Sequence, residues 1–90
     1  MQLMWPAKNS NEILDYKINW TDALDVDTIA FSTWSTGDAS LIVAASSFTQ
    51  KTAVVWLSGG TPGTTDRVSN TITTAGGRTF QLYVTLQIKS

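Results

Sequence analysis

Hydrophobic and polar residues alternate along most of the chain after residue 13, and the alternation is clearest in the last segment. Apolar side chains occupy every second position there, at Phe80, Leu82, Val84, Leu86 and Ile88. The positions between them are mainly polar. Because successive side chains of a strand point to opposite faces, this pattern predicts a strand with one face on a hydrophobic core.

Five earlier segments are also rich in β-branched and aromatic residues, and turn-forming residues separate them. The predicted strands before the last one are Leu14–Trp20, Thr28–Ser35, Leu41–Ser47, Thr52–Ser58 and Thr65–Thr74. Gly59–Thr64 is the strongest turn cluster, since its Gly residues accept any φ and Pro62 presets one. This spacing predicts an all-β fold, a single immunoglobulin-like antiparallel β-sandwich of six to seven strands. No helix longer than about two turns is expected.

Residues 1–13 differ from the rest and predict an N-terminal arm, with the sandwich domain at residues 14–90. Pro6 cannot donate to a strand ladder, and the polar stretch that follows has no period. Trp5 lies beside Pro6, and an aromatic side chain on a tether is well suited to anchor in a pocket of a partner. The alternative, in which the arm folds back on its own domain, is equally open. Trp5 and Pro6 are therefore the candidate interface residues.

The amino-acid composition limits the kinds of molecule that this chain could bind. Charged residues make up 14% of the chain against an ordinary ~25%, and the net charge is −1. The six basic residues are scattered singly, so the sequence predicts no binding to nucleic acid or to a membrane surface. Cysteine is absent, which excludes disulfides and thiolate metal sites. A surface poor in charge favours a protein that works inside an assembly.

The amino-acid composition also argues against an enzyme. Histidine is absent, and no serine elbow or phosphate-binding loop is present. We therefore expect a protein that is not an enzyme, with no catalytic residues and no cofactor. Asp22, Asp25 and Asp27 are close enough to contribute to a calcium site, but capping of turns is the favoured interpretation. The sequence leaves that question open.

Three tryptophans fall in three different predicted strands, at positions 20, 34 and 56. They could stack as an exposed platform for a sugar, or they could fill the core. Apolar neighbours at Ile18, Ile29 and Val54 favour the core. A protein that makes its contacts through strand edges, turns and the arm predicts that all three are buried, whereas a ligand-binding module predicts exposed indoles.

Four short motifs follow one another along the chain. They are the opening strand Ile13–Trp20, the next strand Asp27–Trp34, the WLSGGT turn within Val55–Thr64, and the strand and hairpin of Val68–Thr79. In this order and spacing they resemble the fiber-tail adaptor family of tailed bacteriophages. The resemblance covers roughly residues 12–88, so most of the arm lies outside it.

The resemblance implies an immunoglobulin-like, non-catalytic structural protein of the virion. Such an adaptor would join tail or neck to fibers, or decorate the particle. Its partners would be other virion proteins, with copies repeated in a symmetric ring. It would be made in the cytoplasm of the bacterial host. The alternative is a carbohydrate- or receptor-binding β-sandwich module.

Overall fold

A computed structural model describes residues 3–89, with side chains from residue 5 onward. The described part contains eight strands and one short helix. In chain order these are β1 (Leu3–Met4), β2 (Lys8–Asn9), β3 (Ile13–Asn19), α1 (Thr21–Leu24), β4 (Ile29–Thr36), β5 (Leu41–Phe48), β6 (Thr52–Gly59), β7 (Thr65–Thr74) and β8 (Thr79–Lys89). The six predicted strands correspond to β3 through β8, with most ends shifted by one residue.

The strands form two sheets. In the first, β4, β7 and β8 are antiparallel neighbours, and the two-residue strands β1 and β2 run parallel to β8 along its outer edge. In the second, β6 lies between β3 and β5, and all three are antiparallel. The predicted β-sandwich is confirmed. Its immunoglobulin-like subclass stays a prediction.

The core lies between the sheets and is built from alternate residues of each strand. On β8 the predicted apolar face is inward, with Val84, Leu86 and Ile88 buried. Tyr16 and Ile18 of β3 are inward as well. Two clusters share this layer, one around Val55, Leu57, Val68, Leu86 and Ile88, and one around Ile18, Trp20, Ile29, Ile72 and Val84.

A β-bulge changes the faces of β4. The sequence pattern predicts Ile29, Phe31 and Thr33 on one face, but the register against β7 shifts between Ile29 and Phe31. Ile29 is consequently buried, whereas the Phe31 side chain is 69% exposed. An extra residue in one strand reverses the alternation beyond it, and no residue type in this segment marks that position.

Trp20 and Asn70 join the two sheets through the core. The Trp20 Nε1–H donates to Asn70 Oδ1 over 2.9 Å, and the Asn70 amide donates to Ser32 Oγ and to the Thr33 carbonyl, each over 2.9 Å. Asn70 is fully buried. A buried polar side chain is tolerated when its hydrogen bonds are made, and this network satisfies both ends of the amide.

The segment predicted as an arm lies along the domain in its described part. The Trp5 N–H donates to the Thr85 carbonyl over 3.1 Å, and the Ser10 N–H donates to the Lys89 carbonyl over 2.9 Å. The outer ends of the two predicted segments, residues 1–2 and 90, lie outside the described residues. The boundary at residue 13 as a domain division stays a prediction.

Candidate functional site

Trp5 is placed over its own domain by the parallel pairing of β1 with β8. Its ring stacks on Tyr16, with centroids 4.6 Å apart and planes 15° apart, and lies 6.0 Å from the Trp34 ring. The indole is partly buried and contacts both core clusters. Of the two arrangements left open by the sequence, the structure has the arm folded back.

Pro6 follows on the surface. Its side chain is exposed, and its carbonyl accepts a hydrogen bond from the Tyr16 hydroxyl over 3.2 Å. Burial, with smaller effects from the Glu12 and Asp15 charges, raises the pKa of that phenol. A contact of Trp5 and Pro6 with a partner protein remains a prediction, now limited to the exposed parts of both residues.

Lys8 is buried, which its polar sequence neighbourhood did not predict. Its Nζ donates to the Gly59 carbonyl over 2.7 Å and to the Asn9 carbonyl over 2.9 Å. Desolvation lowers the pKa of the ammonium group, and the Glu12 charge partly opposes this. The ammonium thereby fastens β2 to the turn that ends β6. A lysine between Pro6 and a polar run carries no sequence signal for such a role.

Trp56 is exposed, so the prediction that it is buried with Trp20 and Trp34 is wrong. Its side chain is 43% exposed, because Val55 and Leu57 occupy the inward positions of β6. Trp20 is buried, and Trp34 is partly buried against the core. The apolar neighbour Val54 misled the prediction, since Val54 and Trp56 share the outward face of β6.

Trp56 belongs to an exposed apolar patch on the outer face of the three-stranded sheet. Ile13 of β3 and Ile42 of β5 both lie opposite Ser58, two positions from Trp56 on the same face of β6. The side chains of Ile13 and Ile42 are 63% and 54% exposed. We call Ile13, Ile42 and Trp56 the Trp56 patch. Exposed apolar side chains grouped on one sheet face are often found at interaction sites.

The predicted Asp cluster is not assembled around a common point. Within residues 3–89, no group of three acidic, His or Cys side chains is placed to hold a metal ion. Asp27 instead accepts hydrogen bonds from the Thr28 and Gly76 N–H groups and pairs with Arg78 over 3.0 Å. A hydrogen bond from the Thr74 side chain, and then these contacts, lower the pKa of Asp27 to about 2. Asp22 and Asp25 are exposed.

A shallow depression of about 240 Å³ lies beside this pair, between α1 and the β7–β8 hairpin. Leu24, Val26 and Phe80 supply apolar walls, while Asp27 and Arg78 at its rim are engaged with each other. Asp27 therefore closes a loop, and its carboxylate is already occupied by structural hydrogen bonds.

Two further carboxylates, Asp38 and Asp66, accept hydrogen bonds at the opposite end of the sandwich. Asp38 accepts hydrogen bonds from the Ser40 backbone and hydroxyl and from the Thr61 hydroxyl. These bonds, the Ser40 backbone first, lower the pKa of Asp38. Asp66 accepts from the Asp38 N–H over 3.2 Å. The acidic side chains at this end hold turns together.

No helix in the described range is long and apolar enough to cross a membrane.

Comparison with known protein families gives a match over most of the chain. The family model described as Podophage GP4 fiber-tail adaptor protein gp77 matches residues 8–87. No match was found among curated proteins. The matched range contains β2 through most of β8, and with it the three-stranded sheet, the main strands of the other sheet and the Trp56 patch. The chain therefore belongs to the podophage GP4 fiber-tail adaptor family, and is a tail fiber adaptor structural protein of a bacteriophage.

Proposed function

We propose that this protein is a non-catalytic adaptor that joins the tail or neck of a phage particle to its fibers, or decorates the particle. The family match over residues 8–87 carries the proposal. The Trp56 patch supports it, because a domain that exposes two isoleucines and a tryptophan on one sheet face is suited to contact another protein. The immunoglobulin-like sandwich would serve as a rigid spacer.

The partners in this proposal are other virion proteins, and copies of the chain repeat in a symmetric ring around the particle axis. The protein is made in the cytoplasm of the bacterial host and resides in the virion. Nucleic acid and membrane are not partners, because a net charge of −1 with scattered basic residues provides no cationic surface. The polar atoms of Asp27, Asp38 and Lys8 hold loops together, which is consistent with a structural role.

A carbohydrate- or receptor-binding module is the second candidate, and the exposed Trp56 is the observation that favours it. An indole face can stack on a sugar ring. On that face, however, Asp15 of β3 and Ala45 of β5 lie directly opposite Trp56, and Ile13 and Ile42 lie diagonal to it. Aliphatic surroundings suit a protein partner better than a polyhydroxylated ligand.

The test is to mix the purified protein with phage particles that lack it and to measure added mass per particle. Stoichiometric addition is the expected result, and Trp56→Ala should weaken it under conditions in which thermal unfolding shows the variant to be folded. Gln81→Ala, on the exposed face of the other sheet, is the matched control. Retention on a glycan surface with no addition to particles would overturn the adaptor function and establish the second candidate.

A further inference from the structure

The two sides of the sandwich are built differently. On one side, β1 and β2 cover the outer edge of β8, and Trp5 and Lys8 fill the space beneath them. On the other side, β4 and β5 lie next to each other as the edges of their sheets. Among the strands that the structure describes, β4 pairs with β7 alone and β5 with β6 alone. The two strands meet where the Thr36 hydroxyl donates to the Leu41 carbonyl over 2.9 Å, at the beginning of β5. No strand pairing joins them in the described part of the chain, so beyond that contact this second side is open.

The open side carries almost no charge. From residue 28 to residue 50 the sequence contains one charged residue, Asp38, and hydrogen bonds from Ser40 and Thr61 engage its carboxylate. The other edge of the three-stranded sheet, β3, carries Asp15 and Lys17 at exposed positions. Charged side chains on an edge strand prevent unwanted pairing. β3 has this protection, and β5 lacks it.

β5 is also the less covered of the two open edges. Its residues from position 44 to its end are all exposed, and the Phe48 side chain is 42% exposed. Consecutive exposure in a strand means that both of its faces are uncovered, since neighbouring side chains point to opposite faces. Ile42, at the beginning of the strand, adds its part of the Trp56 patch on the outer face.

We propose that β5 binds an extended, uncharged segment of another virion protein, which adds a fourth strand to the three-stranded sheet. The inference rests on the proposed function and names the surface that takes the partner. An open strand edge presents backbone N–H and C=O groups in a row, and an extended backbone is the structure that satisfies them in register. A charged segment would find no counter-charge along β5, whereas an apolar side chain beside Ile42 would be buried.

The experiment uses Ser47→Lys on β5 and Gln87→Lys on β8 as a matched pair, because both residues are exposed strand positions. Each purified variant is mixed with phage particles that lack the protein, and added mass per particle is measured against concentration. Ser47→Lys should bind about tenfold or more weakly, because pairing would desolvate an unpaired ammonium group. Gln87→Lys should bind as the original chain does. Equal thermal midpoints establish that both variants are folded.

Backbone hydrogen exchange provides a readout that contact with a sheet face alone would not change. On particles, the amides of residues 42–48 that point away from β6 should become protected. Equal binding of Ser47→Lys and the original chain, with no added protection, would overturn this inference while leaving the adaptor function intact. Failure of the original chain to add to particles would overturn the adaptor function itself. A dimer in solution that Ser47→Lys abolishes would make a second copy the occupant and overturn the proposal of a different partner.

Discussion

Buried polar groups at single positions connect parts of this protein that the chain separates widely. Asn70 of β7 receives the indole N–H of Trp20 and donates to β4, so one amide links the loop after β3 to the first sheet. Lys8 does the same for the arm and the end of β6. Because each group is buried, losing one partner leaves the others without compensation from water.

Asn70→Ala should lower the free energy of unfolding by about 3 kcal/mol, since it leaves the Trp20 N–H and the Thr33 carbonyl without their partner. Urea unfolding followed by tryptophan fluorescence measures the change. Thr71→Ala, at the neighbouring outward position of β7, is the control and should cost less than about 1 kcal/mol. Equal losses in the two variants would show that the network contributes nothing beyond strand propensity.

Asp27 should make stability depend on acidity. Its pKa of about 2 in the folded protein lies below the ordinary value of about 3.9 for an unfolded chain. The ionised Asp27 carboxylate therefore contributes its full share to the free energy of unfolding above about pH 4. That share is lost as the pH falls from about 4 towards 2. Asp38, whose pKa is also lowered, adds in the same direction.

Unfolding midpoints measured between pH 2 and 6 check this expectation. Asp27→Asn should flatten the decline in the acidic range, with the remaining slope due to Asp38 and other carboxyls. A variant whose decline is as steep as that of the original chain would contradict the role of Asp27.

At the scale of elements, the turn between β6 and β7 brings three parts of the chain together. Gly59 adopts φ of 75°, and a Cβ there would lie 2.5 Å from the Ser40 carbonyl oxygen. Its own carbonyl accepts the Lys8 ammonium. Gly63 in the same turn has φ of 83° but no atom within 4 Å of its would-be Cβ. Alanine substitutions at these two glycines therefore distinguish the cost of a left-handed backbone from the cost of a steric clash.

Gly63→Ala should cost about 1–2 kcal/mol, the ordinary penalty of a left-handed conformation. Gly59→Ala should cost more, because the same strain is added to a clash with a backbone atom that cannot move aside freely. Thermal unfolding of both variants measures the difference. An equal cost for the two substitutions would mean that the Ser40 segment shifts without penalty.

At the scale of the whole molecule, the arm closes one side of the sandwich. It supplies the Trp5 ring that stacks on Tyr16 and the Lys8 ammonium that binds the β6 terminus. It also covers the backbone groups along the outer edge of β8. The side formed by β4 and β5 has no such covering segment among the described residues.

Deleting residues 1–9 should lower the free energy of unfolding by about 3 kcal/mol or more, because a stacked indole and two parallel strand pairings are lost. The uncovered β8 edge should also promote self-association, measurable by light scattering. Trp5→Phe in the full chain is the control and should keep the β8 edge covered. A truncated chain with unchanged stability and no association would show that the arm is dispensable for this domain.

The sequence alone predicted the six main strands, the β-sandwich, and the inward faces of β3 and β8. These features follow from hydrophobic alternation and turn residues, which depend only on residues that are close together in the sequence. The family resemblance could also be recognised from the sequence, since its motifs are continuous segments. The capping role favoured for the Asp cluster agrees with what Asp27 does.

Only the tertiary structure decided which face of each strand is buried and which residues are exposed. Whether Trp56 points inward depended on the register of β6 against β3 and β5, and the faces of β4 depended on a bulge opposite β7. The burial of Lys8 depended on where the arm meets the β6 terminus, 51 residues further along the chain. Alternation along a strand fixes which residues share a face, but contacts between distant segments fix which face and which edge remain free.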